Sequence, residues 1–193
     1  IFISVIFMSL VVAFNLDDYA ILATDKRGVL NYRNKNKEDF LLNINDTYQK
    51  IRKIPFGFFA SAGDYFITEC FYAECMAKFP KKRTLEQILE ATYHRYCNLK
   101  DICHFTEVTT ILLIAKGHHQ NGDFHQDSIL EINIEYQSIK IQEIAPMNLV
   151  ALMANMNPDQ TFWYKIGSSL YPSKDFSDFE DFFHYHVHLI KHI

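Results

Sequence analysis

The stretch FGFFASAGDYFITECFYAECMA, residues 56–77, changes from strand-like to helix-like periodicity. Its first seven residues are apolar or small and predict a strand, which Gly63 ends. Asp64 is a favourable N-cap for the helix that follows, and Pro80 predicts where that helix stops. The residues that recur at helical spacing are Phe66, Cys70, Ala73 and Ala77. The stretch therefore predicts a strand that leads directly into an α-helix.

Downstream, a second helix follows the first. Thr84 is its N-cap, and Gln87 stands at the capping-box position. Its apolar stripe consists of Leu85, Ile88, Leu89, Thr92 and Tyr96. Strands are then predicted at residues 109–115, 129–135 and 139–144. A last helix is predicted at residues 175–192, capped by Asp175 or Ser177, whereas residues 147–164 mix helix and turn signals and predict no single element.

Upstream, the apolar runs at residues 9–16 and 19–24 are separated by acidic turn formers and predict a β-hairpin. Residues 31–39 are rich in Asn and Lys and predict an exposed loop. One strand is predicted at residues 40–54, and Pro55 separates it from the next. Strands, two helices, strands and a final helix predict an α+β fold, not an alternating parallel sheet.

The composition excludes several classes of protein. The chain has 193 residues, enough for one domain, with 49% hydrophobic and 22% charged residues, so it is globular, not disordered. A net charge of −4 offers no broad cationic surface, which argues against a nucleic-acid partner. The cysteines lack the paired spacing of zinc ribbons and are too few for a disulfide scaffold. They predict free thiols in a reducing compartment.

The first fourteen residues carry no charge. The run is shorter than the roughly 20 apolar residues that span a bilayer, so no membrane partner is expected. Secretion is the alternative, because residues 11–13, Val-Val-Ala, are an acceptable signal-peptide cleavage context, although no basic segment precedes them. Residues 1–8 are expected to be a leader, an upstream extension or a mis-assigned start, followed by a single domain at 9–193.

Four short segments occur in an order that is informative. Residues 23–27 are Ala-Thr-Asp-Lys-Arg, and residues 49–51 are Gln-Lys-Ile. Residues 60–63 are Ala-Ser-Ala-Gly, and residues 166–169 are Ile-Gly-Ser-Ser. In this order they resemble the proteasome β-subunit family of N-terminal nucleophile hydrolases, in which Ser169 would usually be glycine. The resemblance implies a four-layer αββα sandwich.

The resemblance also implies a catalytic site. Ser9 aligns with the family's N-terminal threonine and would become the nucleophile once residues 1–8 are removed, with its own α-amine as the base. Lys50 would stand beside it, held by Asp25. The backbone N–H of Gly63 would stabilise the oxyanion, and glycine there would let the substrate approach closely. Ser168 would join the hydrogen-bond network of the amine, with Arg27, Gly167 and Ser169 in support.

No cofactor or metal is implied, and the expected protein is a cytoplasmic peptidase that acts on peptides or proteins and assembles into a homo-oligomeric ring. One alternative is a non-catalytic structural subunit or degenerate homologue, because the family's last helix and strand would fall after Ile193. A second is an amidase that acts on a small molecule. Taken singly, Lys50 is typical of an exposed surface and Gly63 of an ordinary turn.

Histidines recur along the last predicted helix. His184, His188 and His192 have four-residue spacing and share one face, with His186 turned away. They could hold a metal or form an exposed or half-buried histidine-rich face, and no carboxylate or cysteine of zinc-site spacing clearly joins them. The histidine-rich face without a metal is the expected outcome.

Overall fold

A computed structural model describes residues 10–16, 19–24, 28–33, 39–45, 49–77, 83–99, 108–115, 128–153 and 160–191. In these residues the chain is a mixed α+β protein whose paired strands are all antiparallel. The α+β prediction is therefore confirmed. The elements in chain order are β1 (Leu10–Asn15), β2 (Ala20–Thr24), β3 (Gly28–Arg33), β4 (Asp39–Asn45), β5 (Arg52–Ile54), β6 (Gly57–Ala62), α1 (Tyr65–Met76), α2 (Leu85–Cys97), β7 (Thr109–Ala115), β8 (Ser128–Glu135), β9 (Ser138–Glu143), β10 (Asn148–Met153), α3 (Gln160–Gly167), a 3₁₀ turn (Ser173–Asp175) and α4 (Phe179–Lys191).

The described strands form three hydrogen-bonded groups. A three-stranded sheet has the order β10-β1-β2, and β3 pairs with β4. The third group is a five-stranded antiparallel sheet with the order β5-β6-β7-β8-β9, in which α1 and α2 connect β6 to β7. The connections β5–β6 and β8–β9 are short, as expected of antiparallel neighbours. The predicted first hairpin is confirmed as β1 and β2.

One face of the five-stranded sheet is covered by α1 and α2. Phe59, Ile111 and Leu113 alternate along β6 and β7 and point to the same side, as the two-residue period of a strand requires. They pack with Phe71 of α1 and Leu89 of α2, and all five side chains are buried. This core cluster removes the apolar face of both helices from water.

The opposite face of the five-stranded sheet packs against the three-stranded sheet. Ala60, Leu112 and Ile129 point to this side from β6, β7 and β8. They contact Val11 and Ala13 of β1, and all five are fully buried. A second core cluster thus lies between the two sheets.

The other side of β1 faces the last two helices. Val12 and Phe14, which alternate with Val11 and Ala13, pack with Ile166 of α3 and Phe182 of α4. The strand β1 is therefore buried on both faces, which explains its continuous apolar sequence.

Both predicted helix caps are confirmed. The Asp64 side chain accepts a hydrogen bond from the Phe66 N–H at 2.7 Å, at the start of α1. At α2, Thr84 and Gln87 form the reciprocal capping box, with bonds of 3.3 and 3.1 Å. These contacts satisfy N–H groups that the first turn of a helix leaves without intrahelical partners.

Two predicted segments differ from the structure. Residues 31–33 and Asp39 belong to β3 and β4 instead of a loop, and residues 34–38 lie outside the described part. The single strand predicted at 40–54 is two strands with different partners, since β4 pairs with β3 and β5 pairs with β6. Local alternation cannot distinguish the two cases, because it carries no information on the partner.

The last helix also begins later than predicted. Residues 173–175 form a 3₁₀ turn, and α4 starts at Phe179 after Asp178, whose carboxylate accepts from the Asp181 N–H at 2.9 Å. Asp178 therefore takes the capping role expected of Asp175 or Ser177. Residues 147–164, for which no element was predicted, contain β10 and the start of α3. None of the described helices combines the length and apolar character needed to cross a bilayer.

Candidate functional site

Lys50 is a buried cation directly upstream of β5. Only 6% of its surface is exposed, and its neighbour Ile51 packs against the core cluster between the two sheets. Lysine is almost never buried unless partners in the protein offset the desolvation of its ammonium group. The interpretation of Lys50 as an ordinary surface lysine is therefore wrong. Lys53, three residues later in β5, is the exposed lysine of this segment.

Gly63 lies at the turn between β6 and α1, where its backbone has a φ of +118°. A Cβ at this position would lie 2.7 Å from the Thr109 Cα and 2.8 Å from the Val108 carbonyl oxygen. Glycine is therefore required for the backbone conformation and for close approach to the start of β7. This reason differs from the predicted one, since the space that a side chain would need is occupied by the protein's own backbone and not by a substrate.

Asp64 fixes the turn that carries Gly63. Its backbone N–H donates to the Thr109 hydroxyl at 2.9 Å, and its Oδ2 accepts from the Tyr96 hydroxyl at 2.7 Å. Its carbonyl accepts from the Thr68 hydroxyl at 3.1 Å, and that hydroxyl also contacts the Ser61 hydroxyl at 2.9 Å. Together with the bond from Phe66, these contacts tie β6, α1, α2 and β7 together within one turn.

The start of β1 lies beside the end of β2 in the three-stranded sheet. Val11 pairs with Thr24, so β1 begins at the end of the sheet where β2 ends. Ser9 is bonded to Leu10, and Asp25 is bonded to Thr24. Ser9, Asp25 and Arg27 themselves lie outside the described residues, and their roles stay predictions.

The segment Gly167-Ser168-Ser169 closes helix α3. The hydroxyls of Ser168 and Ser169 both donate to the Lys165 carbonyl, at 3.0 and 2.9 Å, and Ser168 is exposed. Gly167 and Ser168 line a surface groove of about 570 Å³ between α3 and β10. The other lining residues are Met147, Asn148, Leu149, Ala151, Trp163 and Tyr164. The supporting roles of Gly167, Ser168 and Ser169 stay predictions.

Two buried cysteines are unsuited to nucleophilic attack. Burial raises the pKa of Cys70 to about 11 and that of Cys75 to about 12. Both are therefore neutral thiols near pH 7, whereas the thiolate is the reactive form. Cys70, Cys75 and Cys97 are free, as predicted, and Cys103 lies outside the described residues.

The histidines of α4 occupy two different environments. His184 and His188 are exposed, and His186 is fully buried against Phe176 and Phe182. The predicted opposite orientation of His186 is thus confirmed, and His192 lies outside the described residues. In the described ranges no three His, Cys, Asp or Glu side chains converge in a way that could hold a metal ion.

Tyr96 and Thr109 were not predicted as part of the site. Tyr96 was assigned to the apolar stripe of α2 and is fully buried there, yet its hydroxyl reaches Asp64. The signal in the sequence is that a buried tyrosine needs a partner for its hydroxyl. Thr109 carries no comparable signal, because a threonine at the start of a strand is ordinary.

A comparison with models of known protein families finds no match for this chain. A search of curated proteins also finds no matching relative. A functional assignment therefore rests on the residues described above and on the resemblance of their motifs.

Proposed function

We propose that the chain is a proteasome β-subunit-like N-terminal nucleophile hydrolase that cleaves peptide or amide bonds with Ser9 as nucleophile. The observation that carries this proposal is the burial of Lys50, with 6% of its surface exposed, directly before Ile51, which packs against the cluster between the β1 sheet and the five-stranded sheet. A buried ammonium is costly and suits a site that needs a fixed positive charge.

The arrangement of the core supports the proposed four-layer sandwich. One cluster joins α1 and α2 to the five-stranded sheet, a second joins the two sheets, and a third joins β1 to α3 and α4. Helices, sheet, sheet and helices in this succession are what the αββα architecture requires. The fold supports a function only by analogy, so the site residues carry the rest of the argument.

The proposed reaction begins when Ser9 becomes the first residue. Its free α-amine, with a reference pKa of about 7.7 to 8.0, would take the proton of the Ser9 hydroxyl. The Ser9 Oγ would then attack the substrate carbonyl, forming a C–O bond and a tetrahedral oxyanion. Collapse of that intermediate breaks the C–N bond, the amine leaves with the transferred proton, and water later hydrolyses the Ser9 ester.

Lys50 and Asp25 have electrostatic roles in this proposal. The Lys50 ammonium would lower the pKa of the Ser9 hydroxyl and of the α-amine through its positive charge. Asp25 would offset the desolvation of Lys50 and fix its position. The buried position of Lys50 supports a compact charge held in one place, which exposed lysines do not provide.

Gly63 is the proposed oxyanion donor through its backbone N–H. Its position directly before α1 also supports this role, because the N-terminus of a helix favours negative charge nearby. The hydrogen bonds of Asp64 hold this turn in one conformation, which is the preorganisation that such a donor needs. Arg27, Gly167, Ser168 and Ser169 stay in supporting roles in the proposal.

The decisive experiment starts from the full chain produced in its native source and measures the mass of the mature protein. We expect a chain that begins at Ser9, hydrolysis of a fluorogenic peptide, and no hydrolysis by Ser9→Ala. An electrophilic peptide probe should add its mass to the N-terminal Ser9 fragment. If the protein begins at Ser9 and neither hydrolyses nor reacts, the non-catalytic alternative replaces the proposal.

Self-association separates a chambered peptidase from a small-molecule amidase. The proposal predicts a ring, so native mass spectrometry should give a large homo-oligomer, and the peptide should be cleaved by that species. A monomer or dimer that hydrolyses small amides but leaves peptides intact would contradict the peptidase assignment.

A further inference from the structure

We infer that Tyr96 and Thr109 are positioning residues for the oxyanion donor, acting on Gly63 through Asp64. The inference rests on the proposed function, in which the Gly63 N–H stabilises the oxyanion. Neither residue is expected to touch the substrate. Their role is to hold the peptide group between Gly63 and Asp64, and with it the backbone of Gly63, in a fixed orientation.

The first part of the argument is the burial of both hydroxyls. Tyr96 and Thr109 are each fully buried, with 0% of their surface exposed. A buried hydroxyl is costly without a hydrogen bond, so loss of the bond to Asp64 would leave each of these hydroxyls without that partner inside the protein. The bonds measure 2.7 Å from Tyr96 to the Asp64 carboxylate and 2.9 Å from the Asp64 N–H to Thr109.

The second part is the geometry of the Asp64 peptide. Its N–H belongs to the peptide group that follows Gly63, and it points to Thr109 within the protein. Gly63 has a φ of +118° and lies against the backbone of Thr109 and Val108. Rotation of the Gly63–Asp64 peptide would break the bond to Thr109. The Gly63 N–H belongs to the preceding peptide, which adjoins Ala62 where β6 pairs with Thr110 of β7. Gly63 is therefore restrained on both sides, and the Asp64 bond supplies the restraint on its C-terminal side.

The third part is the link across the two helices. Asp64 Oδ1 caps α1 at Phe66, while Oδ2 accepts from Tyr96 in α2, 32 positions away in the sequence. The carboxylate therefore joins the start of α1 to α2. A local cap alone needs only the first bond, so the second bond adds rigidity that the capping role does not require.

The test uses Tyr96→Phe, which removes the hydroxyl and keeps the ring, in the full chain processed to Ser9. Tyr93→Phe is the matched control on the same helix, since the Tyr93 hydroxyl accepts from the Gln137 N–H at 3.1 Å, in the β8–β9 turn. We expect Tyr96→Phe to lower kcat about tenfold with little change in KM, because small displacements of a preorganised donor cost rate more than substrate affinity. Tyr93→Phe should keep the parent kcat.

Amide hydrogen exchange provides a readout that does not depend on activity. Tyr96→Phe should speed exchange at Gly63 and Asp64, while the amides of β8 and β9 keep the parent rates. Unchanged exchange at Gly63 and Asp64 would overturn the inference whatever the activity. Faster exchange with an unchanged kcat would also overturn it, because the restraint would then have no catalytic consequence.

Thr109→Val and Thr109→Ser give a second pair if Tyr96→Phe does not fold. Thr109→Val removes the hydroxyl that accepts from the Asp64 N–H and should lower kcat as Tyr96→Phe does. Thr109→Ser keeps a hydroxyl and should have a kcat close to that of the parent. If the parent chain is inert after trimming to Ser9, the proposed function fails. Faster exchange at Gly63 in Tyr96→Phe or Thr109→Val would then show that the hydrogen bonds only stabilise the structure, and the positioning role would be rejected together with the proposed function.

Discussion

Gly63 lies directly against Thr109, so that a single added carbon on Gly63 would come within 2.7 Å of the Thr109 Cα. The contact joins the end of β6 to the start of β7 at the point where α1 begins. It explains why this turn contains glycine independently of any substrate. It also makes the turn sensitive to substitution.

Gly63→Ala is expected to destabilise the protein by about 2 to 4 kcal/mol, because alanine is strained at a positive φ and its methyl group would meet β7 backbone. The free energy of unfolding in urea measures the effect. Gly167→Ala is the matched control, since no heavy atom lies within 4 Å of the added carbon. The control should stay within about 1 kcal/mol of the parent. Equal stability of both variants would contradict the contact.

Lys50→Met is expected to lower the rate of peptide hydrolysis by about 10² to 10³, because it removes the charge and keeps a stem of similar length. Lys50→Arg should recover little, since a planar guanidinium does not reproduce a compact ammonium in a buried site. Lys53→Met, on the exposed lysine of β5, is the control and should keep the parent rate. The measurement is the rate at which each variant hydrolyses a fluorogenic peptide. A Lys50→Met rate equal to that of the parent would contradict the proposed catalytic role of Lys50.

Acid should destabilise the domain through His186. Burial lowers its pKa below 6.5, against a smaller opposing effect of the hydrogen bond to the Phe182 carbonyl. Its Nε2 has no hydrogen-bond partner among the described residues. The unfolded chain therefore binds a proton more readily than the folded one, so stability is full above pH 6.5 and falls as the pH drops below it.

The melting temperature of the parent should accordingly fall between pH 7 and pH 5. The fall should be smaller for His186→Leu, which cannot titrate. His184→Gln, on the exposed face of α4, should follow the parent curve. A parent and a His186→Leu variant with the same pH dependence would exclude this role.

Glu74 should contribute to the pairing of α1 with the start and end of α2. It accepts from Arg83 at 2.9 Å and from Arg95 at 2.8 Å, and only 11% of its side chain is exposed. Burial would raise its pKa, but the hydrogen bonds from the two arginines outweigh burial and lower it. Glu74→Gln should therefore reduce the free energy of unfolding by about 1 to 3 kcal/mol at pH 7.

The difference between Glu74→Gln and the parent should vanish in acid. Because the pKa of Glu74 is lower in the folded protein, its contribution to stability is complete at pH values above the usual pKa of a carboxyl group. This contribution is lost as the pH falls through the lowered pKa. Glu135→Gln is the control, because its pair with Lys140 is exposed and such pairs contribute little. A constant difference from pH 7 to strong acid would exclude the charged pairs as its cause.

The starts of α1 and α2 could be predicted because their signals are local. Asp64 caps α1 through an atom two residues away, and Thr84 and Gln87 cap α2 across three residues. The same holds for the β1–β2 hairpin, whose alternation and acidic turn lie within one short segment. Contacts between residues this close in the sequence depend little on how distant segments of the chain pack.

The sequence by itself therefore determined the α+β class, the first hairpin and the caps of α1 and α2, together with the motifs that suggest the site. The tertiary structure alone decided that β4 and β5 are separate strands with different partners, that Lys50 is buried, and that Gly63 faces β7. It also decided that the Tyr96 hydroxyl reaches Asp64 from another helix. The physical reason is that burial and close approach depend on which distant segments pack together, and periodicity in a single segment does not encode its partner.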